Sequence, residues 1–384
     1  MTAELPADVA EMIGRPMYPE TADFPADMSY GWNTLAATEN ANPLYWEPAV
    51  AEMLAGGTIL PLSTLSLWMR PHRWAPGATT EQVALRAHFD LKDLLGLPEA
   101  IIGDNAVVFG DPVRPGDFIS HRQVLRSVSG PKTTRLGSGR FWVIDVEYHN
   151  QAGDLVGVES YTAFGYRRDG AGVPAREWSP AGEPATSGAT AANPQAANPQ
   201  AANPQAAATA PLRKGPPGQA ETAGPRAKPD PAHDQIRVGD TLPDLTHDVT
   251  ATTVVLGALA SRDWRPMHHD YHFATERNGT RDIFLNTPNQ LAWMERAITD
   301  WTGPKGRLGR ISFRMHDPVF PGDTMTIAST VTAVPTDDSG CGWAELELVL
   351  RGDDRICSTG TARVALPMSA DDNPWQRRGE DWQP

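Results

Sequence analysis

Apolar and polar residues alternate along two long stretches, one in each half of the chain. The first is RFWVIDVEYHNQAGDLVGVESYTAFGY at 140–166, and the second is WAELELVLRGDDRICSTGTARVAL at 343–366. Alternation with a period of two is typical of a strand that buries one face. Polar turns at Gly153-Asp154 and at Gly352-Asp353-Asp354 interrupt the two stretches. Each stretch therefore predicts an antiparallel hairpin.

The same order of segments occurs in both halves. DPVRPGD at 111–117 matches DPVFPGD at 317–323, and strand-like sequence follows each. Upstream, a proline lies two residues before a tyrosine in ANPLY at 41–45 and before a histidine in RPMH at 265–268. This recurrence predicts a duplicated unit with several antiparallel strands and one main helix, which is an α+β fold.

The main helix of the second half is predicted within TPNQLAWMERAITDWTGP at 287–304. Thr287 is a suitable N-cap, and Pro288 suits the first helical position, where its missing N–H costs nothing. Apolar residues recur on one face of this helix: Leu291, Met294, Ile298 and Trp301. Gly303-Pro304 ends it. The first half offers a shorter counterpart, LPLSTLSLWMRP at 60–71.

A segment poor in large apolar side chains separates the two halves. It contains AANPQ three times in succession, from Ala191 to Gln205. Such a composition cannot bury enough surface to offset the entropy of ordering the chain, so it predicts a disordered linker. The chain is therefore divided into a first domain at 1–175, a linker at 176–230 and a second domain at 231–384.

Charge and composition narrow the classes of function. The 384 residues carry a formal net charge of −14, which argues against nucleic-acid binding and docking on an anionic membrane. Neither a membrane span nor a signal peptide is evident, so we expect a cytoplasmic protein. Two cysteines, Cys341 and Cys357, cannot build a zinc ribbon or an iron–sulfur cluster, and no metal site is predicted.

Many proton-handling groups lie within SRDWRPMHHDYHFA at 261–274. Three interpretations are open: a metal site, an acid/base pair and a polar surface loop. A metal site is disfavoured because adjacent side chains point apart and no accompanying ligand motif occurs. Asp and His are also common in exposed turns.

This cluster, the following helix and DPVFPGD together resemble the hydratase signature of MaoC-like enoyl-CoA hydratases. The signature stands here as Ser261-Xaa-Asp263-Xaa-Xaa-Pro266-Xaa-His268-Xaa-Asp270, and the resemblance spans most of 235–366. The first half resembles the dehydratase N-terminal domain that often pairs with it. The resemblance implies a double hot-dog fold, in which two antiparallel sheets each wrap a central helix.

A narrower resemblance links SRDWRPMHHD, RDIFLN and ITDWTGP to actinobacterial hydratases that shorten the steroid side chain. In that branch the catalytic and noncatalytic hot-dogs are usually separate polypeptides, so this chain resembles a fusion of the two. The wider family commonly has Asn before the proline, where this chain has Arg265. The resemblance implies a hydro-lyase that adds water to a bulky, steroid-type enoyl-CoA.

The same resemblance implies which residues act. Asp263 and His268 are expected to be the acid/base pair. The backbone N–H groups of Asn286 and Thr287, at the start of the helix, suit a developing oxyanion. In the first half, equal spacing places Asn40 and Tyr45 at the two catalytic positions, and neither is a base at neutral pH. The first half is therefore expected to be noncatalytic.

Coenzyme A would bring phosphates, and a small basic cluster follows the helix: Lys305, Arg307, Arg310 and Arg314. Phosphate contact and a solvated loop are both open interpretations of it. No cofactor is expected beyond the CoA thioester substrate. Expected partners are a second copy, giving a dimer of double hot-dogs, and an aldolase that takes the product.

Alternatives of different classes remain at this stage. The chain could be a hydratase or dehydratase for smaller or branched acyl-CoA, or for acyl chains on a carrier protein. A hot-dog thioesterase is disfavoured by the hydratase motif. The nonenzymatic alternative is an acyl-CoA-binding scaffold for an aldolase.

Overall fold

A computed structural model describes residues 4–74, 76, 84–168 and 230–384 of the chain. The predicted linker at 176–230 lies outside these ranges except for its last residue, Asp230. The first half contributes six strands: β1 (Pro16–Thr21), β2 (Glu99–Phe109), β3 (Ser120–Val128), β4 (Lys132–Thr134), β5 (Gly137–His149) and β6 (Leu155–Arg167). The second half contributes five: β7 (Leu245–Asp248), β8 (Arg307–Met315), β9 (Thr324–Ala333), β10 (Gly342–Gly352) and β11 (Arg355–Leu366).

The alternating stretches form the two predicted hairpins. In β5 the inward residues Trp142, Ile144, Val146 and Tyr148 are fully buried, whereas the residues between them are partly solvated. The turn at Gly153-Asp154 joins β5 to β6, and Asp353-Asp354 joins β10 to β11. The period-two pattern thus selects the face of each strand that lies against the core.

All eleven strands in the described ranges belong to one antiparallel sheet. Its order is β1-β3-β5-β6-β2-β8-β11-β10-β9-β7, with β4 paired to β5. The halves join where β2 pairs with β8, from Asp104 opposite Arg314 to Val108 opposite Arg310. Each half thereby covers one edge strand of the other, which removes two unpaired edges. This architecture is the predicted double hot-dog.

Seven α-helices occur in the described ranges: α1 (Ala7–Met12), α2 (Met28–Ala37), α3 (Pro43–Trp46), α4 (Pro48–Ala55), α5 (Arg86–Leu94), α6 (Ala251–Ala260) and α7 (Thr287–Thr302). The predicted apolar face of α7 is buried, since Leu291, Met294, Ile298 and Trp301 are each at most 1% exposed. The predicted N-cap was wrong by one residue. Asn286 caps the helix, because its side-chain oxygen accepts a hydrogen bond from the backbone N–H of Asn289.

The counterpart of α7 in the first half is a 3-10 helix, Leu62–Met69, whose eight residues are all buried. Matching hydrogen bonds fix the equivalence of the two halves. The Leu60 N–H donates to the Val113 carbonyl at 2.9 Å, and the Leu285 N–H donates to the Val319 carbonyl at 3.0 Å. These bonds tie the start of each central helix to its own copy of the DPV segment.

A C-terminal segment after β11 crosses onto the first half. The Asn373 amide donates to the Leu54 carbonyl at 2.8 Å, and the Trp382 indole donates to the Phe109 carbonyl at 2.7 Å. The chain end therefore packs against both copies of the repeated unit. None of the helices in the described ranges is long and apolar enough to cross a membrane.

Candidate active site

A tight turn after α6 presents Asp263. Arg262 adopts a left-handed backbone with φ 50°, and the Asp263 N–H donates to the Ala258 carbonyl at 2.9 Å. This pattern satisfies the last carbonyls of a helix. The Arg262 guanidinium lies 4.0 Å from the Phe24 ring centroid and 4.4 Å from that of Tyr30, an attraction that helps to hold the uncommon backbone.

His268 ends a short 3-10 helix, Pro266–His268, and is buried. Its Nδ1 lies 2.8 Å from the Phe284 carbonyl oxygen. Because a carbonyl only accepts hydrogen bonds, Nδ1 carries the proton in the neutral ring, and Nε2 keeps a free lone pair. The Phe284 ring also packs edge-on against the imidazole, at 4.9 Å between centroids. The ring is therefore fixed in a tautomer that can accept a proton at Nε2.

The lone pair of His268 faces the carboxylate of Asp263. Nε2 and Oδ2 are 3.8 Å apart. This separation is too long for a direct hydrogen bond and short enough for one water molecule to bond to both atoms. Each side chain keeps a small exposed fraction, 10% for His268 and 14% for Asp263. The pair is thus shielded from solvent without being sealed.

Burial and charge set the protonation states of this pair. Burial lowers the pKa of His268 below its ordinary 6.5, although the Asp263 charge and the Phe284 carbonyl act to raise it. Burial alone would raise the pKa of Asp263. The Arg70 guanidinium, His268 and the Asn286 amide outweigh burial and hold the pKa of Asp263 below 3.8. At neutral pH the pair is therefore a carboxylate beside a neutral imidazole.

Asn286 connects the pair to α7. Its amide nitrogen donates to the Ser261 hydroxyl at 2.7 Å and to Asp263 Oδ2 at 3.0 Å. Its side-chain oxygen at the same time caps the helix. Within the described residues, the backbone N–H groups of Asn286 and Thr287 have no hydrogen-bond partner. The positive end of α7, with its unpaired donors, therefore lies beside the acid/base pair.

The first half repeats this loop without its chemistry. Glu39 has φ 52°, as Arg262 has 50°, and the Asn40 N–H donates to the Leu35 carbonyl at 2.9 Å. These bonds put Asn40 at the position of Asp263. Further along, the Tyr45 N–H donates to the Asn42 carbonyl at 3.1 Å.

That bond matches the one from the His268 N–H to the Arg265 carbonyl. Tyr45 therefore takes the position of His268.

A carboxylate from the other half fills this counterpart site. Glu295 of α7 accepts hydrogen bonds from the Tyr45 hydroxyl at 3.0 Å and from the N–H groups of Leu62 at 3.2 Å and Ser63 at 2.9 Å. Leu62 corresponds to Thr287, since each lies two residues after the leucine bonded to the DPV valine. The start of the first-half helix thus binds a carboxyl group at the position of the predicted oxyanion donors.

The predicted basic cluster is not a cluster. Arg307 is 1% exposed, donates to the carbonyls of Gly110, Pro374 and Arg377, and lies 3.6 Å from the Trp382 ring centroid. Its guanidinium is committed to packing, so its assignment to CoA binding was wrong. The sequence could not show this, because these contacts come from distant segments.

The other three basic residues of that prediction lie apart. Arg310 and Arg314 are exposed on β8 and pair with Glu345 and Asp104. The Lys305 ammonium donates to the Ala370 carbonyl at 2.9 Å. These three retain surface exposure, and their contact with a phosphate remains a prediction.

A recess with an empty volume of about 290 Å³ lies between the halves, next to the start of α7. It is lined by residues of both copies, including Ser63, Leu67, Ser261 and Pro288, but not by Asp263 or His268. Trp293 of α7 is fully buried in the core. No group of three or more His, Cys, Asp or Glu side chains in the described ranges is placed to hold a metal ion.

Two residues of the site were missed from the sequence. The side chain of Asn286 was foreseeable, because an Asn before Thr-Pro is a favourable N-cap. Arg70 was not, since it comes from the first half, 191 residues from the Ser261 carbonyl to which it donates. Arg70 and Ser261 come together only in the folded protein.

Two family models match the chain. The model described as "MaoC like domain" matches residues 237–340, and the model described as "FAS1-like, dehydratase domain region" matches 34–158. A curated relative, the 3-oxo-4,17-pregnadiene-20-carboxyl-CoA hydratase beta subunit of Mycobacterium tuberculosis, is 38% identical over 97 residues. This match covers 25% of this chain and 74% of the relative.

Solved structures share the fold over nearly the whole chain. A protein described as a MaoC-like dehydratase has a TM-score of 0.61 and 15% identity, with 92% of this chain and 98% of the other covered. A conserved Mycobacterium tuberculosis protein described as having a double hotdog fold has a TM-score of 0.54 and 13% identity, covering 92% and 96%. At these identities the likeness shows the fold alone. Together with the matched hydratase subunit and the family models, it places the chain in the MaoC-like family of hydro-lyases, the hydratases and dehydratases.

Proposed function

We propose that the chain adds water across the double bond of a 2-enoyl-CoA thioester at a single site in its second half. The observation that carries this proposal is the Asp263–His268 pair. Its ionised and neutral partners are 3.8 Å apart and lie beside the unpaired N–H groups at the start of α7. The arrangement supplies a base, a carboxylate that orients water and donors for an oxyanion.

The reaction balances with these groups alone. Water, held by both side chains, forms a bond from its oxygen to C3 of the substrate while Nε2 of His268 takes one of its protons. The electrons of the C2=C3 bond shift towards the thioester, whose carbonyl oxygen becomes an enolate. A proton then passes from the pair to C2, and the carbonyl re-forms. The product carries one added hydrogen and one added hydroxyl.

The counterpart site supports the location of the oxyanion donors. A carboxyl oxygen of Glu295 accepts a hydrogen bond from the N–H of Leu62 at the start of the first-half helix, and Leu62 corresponds to Thr287. Proline at 288 cannot donate where Ser63 does. We therefore assign the enolate oxygen to the N–H of Thr287, with that of Asn286 nearby.

A bulky, steroid-type acyl group is the proposed substrate class. Its support is the relative named for a pregnadiene carboxyl-CoA and the likeness of SRDWRPMHHD, RDIFLN and ITDWTGP to steroid-pathway hydratases. In this proposal residues 1–175 are the noncatalytic domain, 231–384 the catalytic domain and 176–230 a tether. The relative is named as a subunit, which supports assembly into an oligomer; association with an aldolase is a further proposal.

A panel of enoyl-CoA substrates tests the proposal. Hydration is followed by the loss of ultraviolet absorbance of the conjugated thioester, with crotonyl-CoA, a branched short-chain enoyl-CoA and a steroid side-chain enoyl-CoA. We expect the highest kcat/KM for the steroid substrate, and none of the three should react with the Asp263→Asn variant. Equal rates on all three substrates would contradict the proposed steroid specificity. If none of the three is hydrated, the proposed hydratase function is wrong.

A further inference from the structure

One buried arginine of the noncatalytic half reaches into the active site. Arg70 follows the 3-10 helix Leu62–Met69, and its Nη1 donates to the Ser261 carbonyl at 3.1 Å. The same nitrogen lies 3.8 Å from Asp263 Oδ2, with both side chains less than 15% exposed. The guanidinium thus contacts the catalytic loop at its first residue and at its carboxylate.

The contact is reciprocal. The Arg262 guanidinium donates to the Arg70 carbonyl at 3.3 Å, and the Trp264 indole donates to the Pro71 carbonyl at 3.0 Å. Four hydrogen bonds or ion pairs therefore join 70–71 of one half to 261–264 of the other. A loop held in this way from outside its own domain has little freedom to move its carboxylate.

A buried carboxyl group of the first half also interacts with the Arg70 charge. Glu159 is fully buried and accepts hydrogen bonds from the Asn105 amide at 2.9 Å and the Tyr148 hydroxyl at 3.4 Å. Burial raises the pKa of Glu159, and the Arg70 charge acts against that rise. Arg70 therefore acts on carboxyl groups of both halves, Glu159 in its own half and Asp263 in the other.

The Asn40 loop of the first half receives an equivalent arginine contact from the second half. Arg296 of α7 donates from Nη1 to the Thr38 carbonyl at 2.7 Å, crossing between the halves in the opposite direction. Thr38 precedes Asn40 by two residues, as Ser261 precedes Asp263. The two arginines thus make the same bond, but only Arg70 has a catalytic carboxylate beside it. Arg296 instead lies 3.7 Å from Glu39 and 3.2 Å from Asp300.

We propose that Arg70 is a positioning residue for the reaction: the noncatalytic half uses it to fix the Asp263 loop and to hold a guanidinium beside the Asp263 carboxylate. This inference rests on the proposed function. It gives the half without acid or base a part in the chemistry of the other half. Arg70 acts through Asp263, which it contacts, and takes no part in the proton transfers of the proposed reaction.

The Arg70 charge acts in the same direction on both members of the pair. Arg70 lowers the pKa of both Asp263 and His268, and His269 also lowers that of His268. Glu159 and two buried tyrosines, Tyr148 and Tyr161, also interact with the Arg70 charge. Removing the Arg70 charge should therefore raise the pKa of Asp263 and of His268 together.

The test compares Arg70→Met with Arg296→Met, because each loses one guanidinium–carbonyl bond between the halves. We expect Arg70→Met to lose up to about a hundredfold in kcat with KM little changed, as for a misplaced catalytic group. Its acidic limb of kcat/KM should also move to higher pH. Arg296→Met should keep the wild-type kcat and pH profile. Arg70→Lys should retain the wild-type limb at a reduced kcat.

An independent readout is the NMR titration of the His268 ring, assigned by its loss in His268→Gln. In Arg70→Met its midpoint should move to higher pH, whatever substrate is used. An unchanged midpoint and the same kcat as Arg296→Met would overturn the role of Arg70 while leaving the hydratase proposal intact. A wild-type protein that hydrates no enoyl-CoA would instead overturn the proposed function. If Arg70→Met does not fold, Arg70→Lys decides, and a wild-type kcat in it overturns the inference.

Discussion

Asp263 and Asn40 share a backbone geometry but not a charge. Each follows a left-handed residue at the end of a helix, and each N–H bonds to a carbonyl five residues earlier. His268 and Tyr45 also occupy equivalent backbone positions, since each lies two residues after an equivalent proline and their N–H groups make matching bonds. At the residue scale, the proposed loss of chemistry in the first half therefore corresponds to two side chains on a common backbone.

Replacing the pair should therefore remove activity without unfolding the protein. We expect Asp263→Asn and His268→Gln each to lower kcat by about 100- to 10,000-fold, the contribution of positioned acid/base groups. The matched control is Tyr45→Phe, which should leave the chemical step unchanged. Single-turnover rates measure the effect. Near-wild-type rates in both site variants would show that the chemistry lies elsewhere.

The pH dependence should follow the depressed pKa of His268. A base must be neutral to accept a proton, so activity is lost as pH falls through that pKa. Because burial holds it below 6.5 and Asp263 is ionised at still lower pH, the pair should be fully competent at neutral pH. We expect the acidic limb of kcat/KM to be centred below 6.5. A limb centred above 6.5 would contradict the burial argument.

Part of this site could be predicted from the sequence, and the part formed by distant segments could not. Asp263 and His268 lie five residues apart in one motif, so the resemblance of that motif to the MaoC-like hydratases was enough to pair them. The sequence predicted that Arg307 could contact a CoA phosphate. In the structure it is buried by residues more than 60 positions away in the sequence. A lone basic residue has no local pattern that distinguishes packing from ligand binding.

The central helices of the two halves differ in length and in what lies at their start. α7 has unpaired N–H groups beside the Asp263–His268 pair. In the 3-10 helix Leu62–Met69, the first two N–H groups instead donate to the carboxyl group of Glu295. A buried carboxylate is stable only when it is well hydrogen-bonded. Burial raises the pKa of Glu295, and its hydrogen bonds to Ser63, Tyr45 and Leu62 act against that rise. Glu295 is thus a cap supplied by the other half.

Removing this cap should destabilise the whole protein. Glu295→Ala leaves three buried donors unpaired, and we expect a loss of about 3 kcal/mol or more in the free energy of unfolding. Glu295→Gln keeps one acceptor oxygen and should lose less. Asp300→Asn, on the exposed side of the same helix, is the control. Equal denaturation midpoints for Glu295→Ala and the control would show that the cap contributes nothing.

Helix positions were predictable where one face is apolar, and less so at the ends. The buried face of α7 follows from a period of 3.6, but its N-cap is Asn286 and not Thr287, because the Asn286 side-chain oxygen accepts a hydrogen bond from the Asn289 N–H. The 3-10 geometry of Leu62–Met69 has no such pattern, since all eight of its residues are buried.

The whole molecule is held together by a sheet that runs through both halves. β2 pairs with β8, and the Asp104–Arg314 pair lies across this junction. Arg70, Glu295 and Arg296 add buried bonds between the halves. The duplicated order of segments predicted two similar units, but their edge-to-edge pairing depends on contacts far apart in sequence.

Cutting the tether should therefore not separate the halves. A protease cleavage sequence placed within the AANPQ repeats at 191–205 gives two fragments after digestion. We expect the fragments to elute together in gel filtration and to keep their enoyl-CoA hydration rate, because the sheet and the buried bonds persist. Separation of the fragments, or loss of activity on cutting, would mean that covalent linkage maintains the site.

The central claim is that the second half hydrates an enoyl thioester with the Asp263–His268 pair. The most direct measurement is mass spectrometry of the product formed in water labelled with heavy oxygen. The account predicts an intact CoA thioester with the label on the C3 hydroxyl, formed by wild type and not by the Asp263→Asn, His268→Gln double variant. A free acid with the label in its carboxylate, or the labelled hydroxyl appearing equally with the double variant, would contradict it.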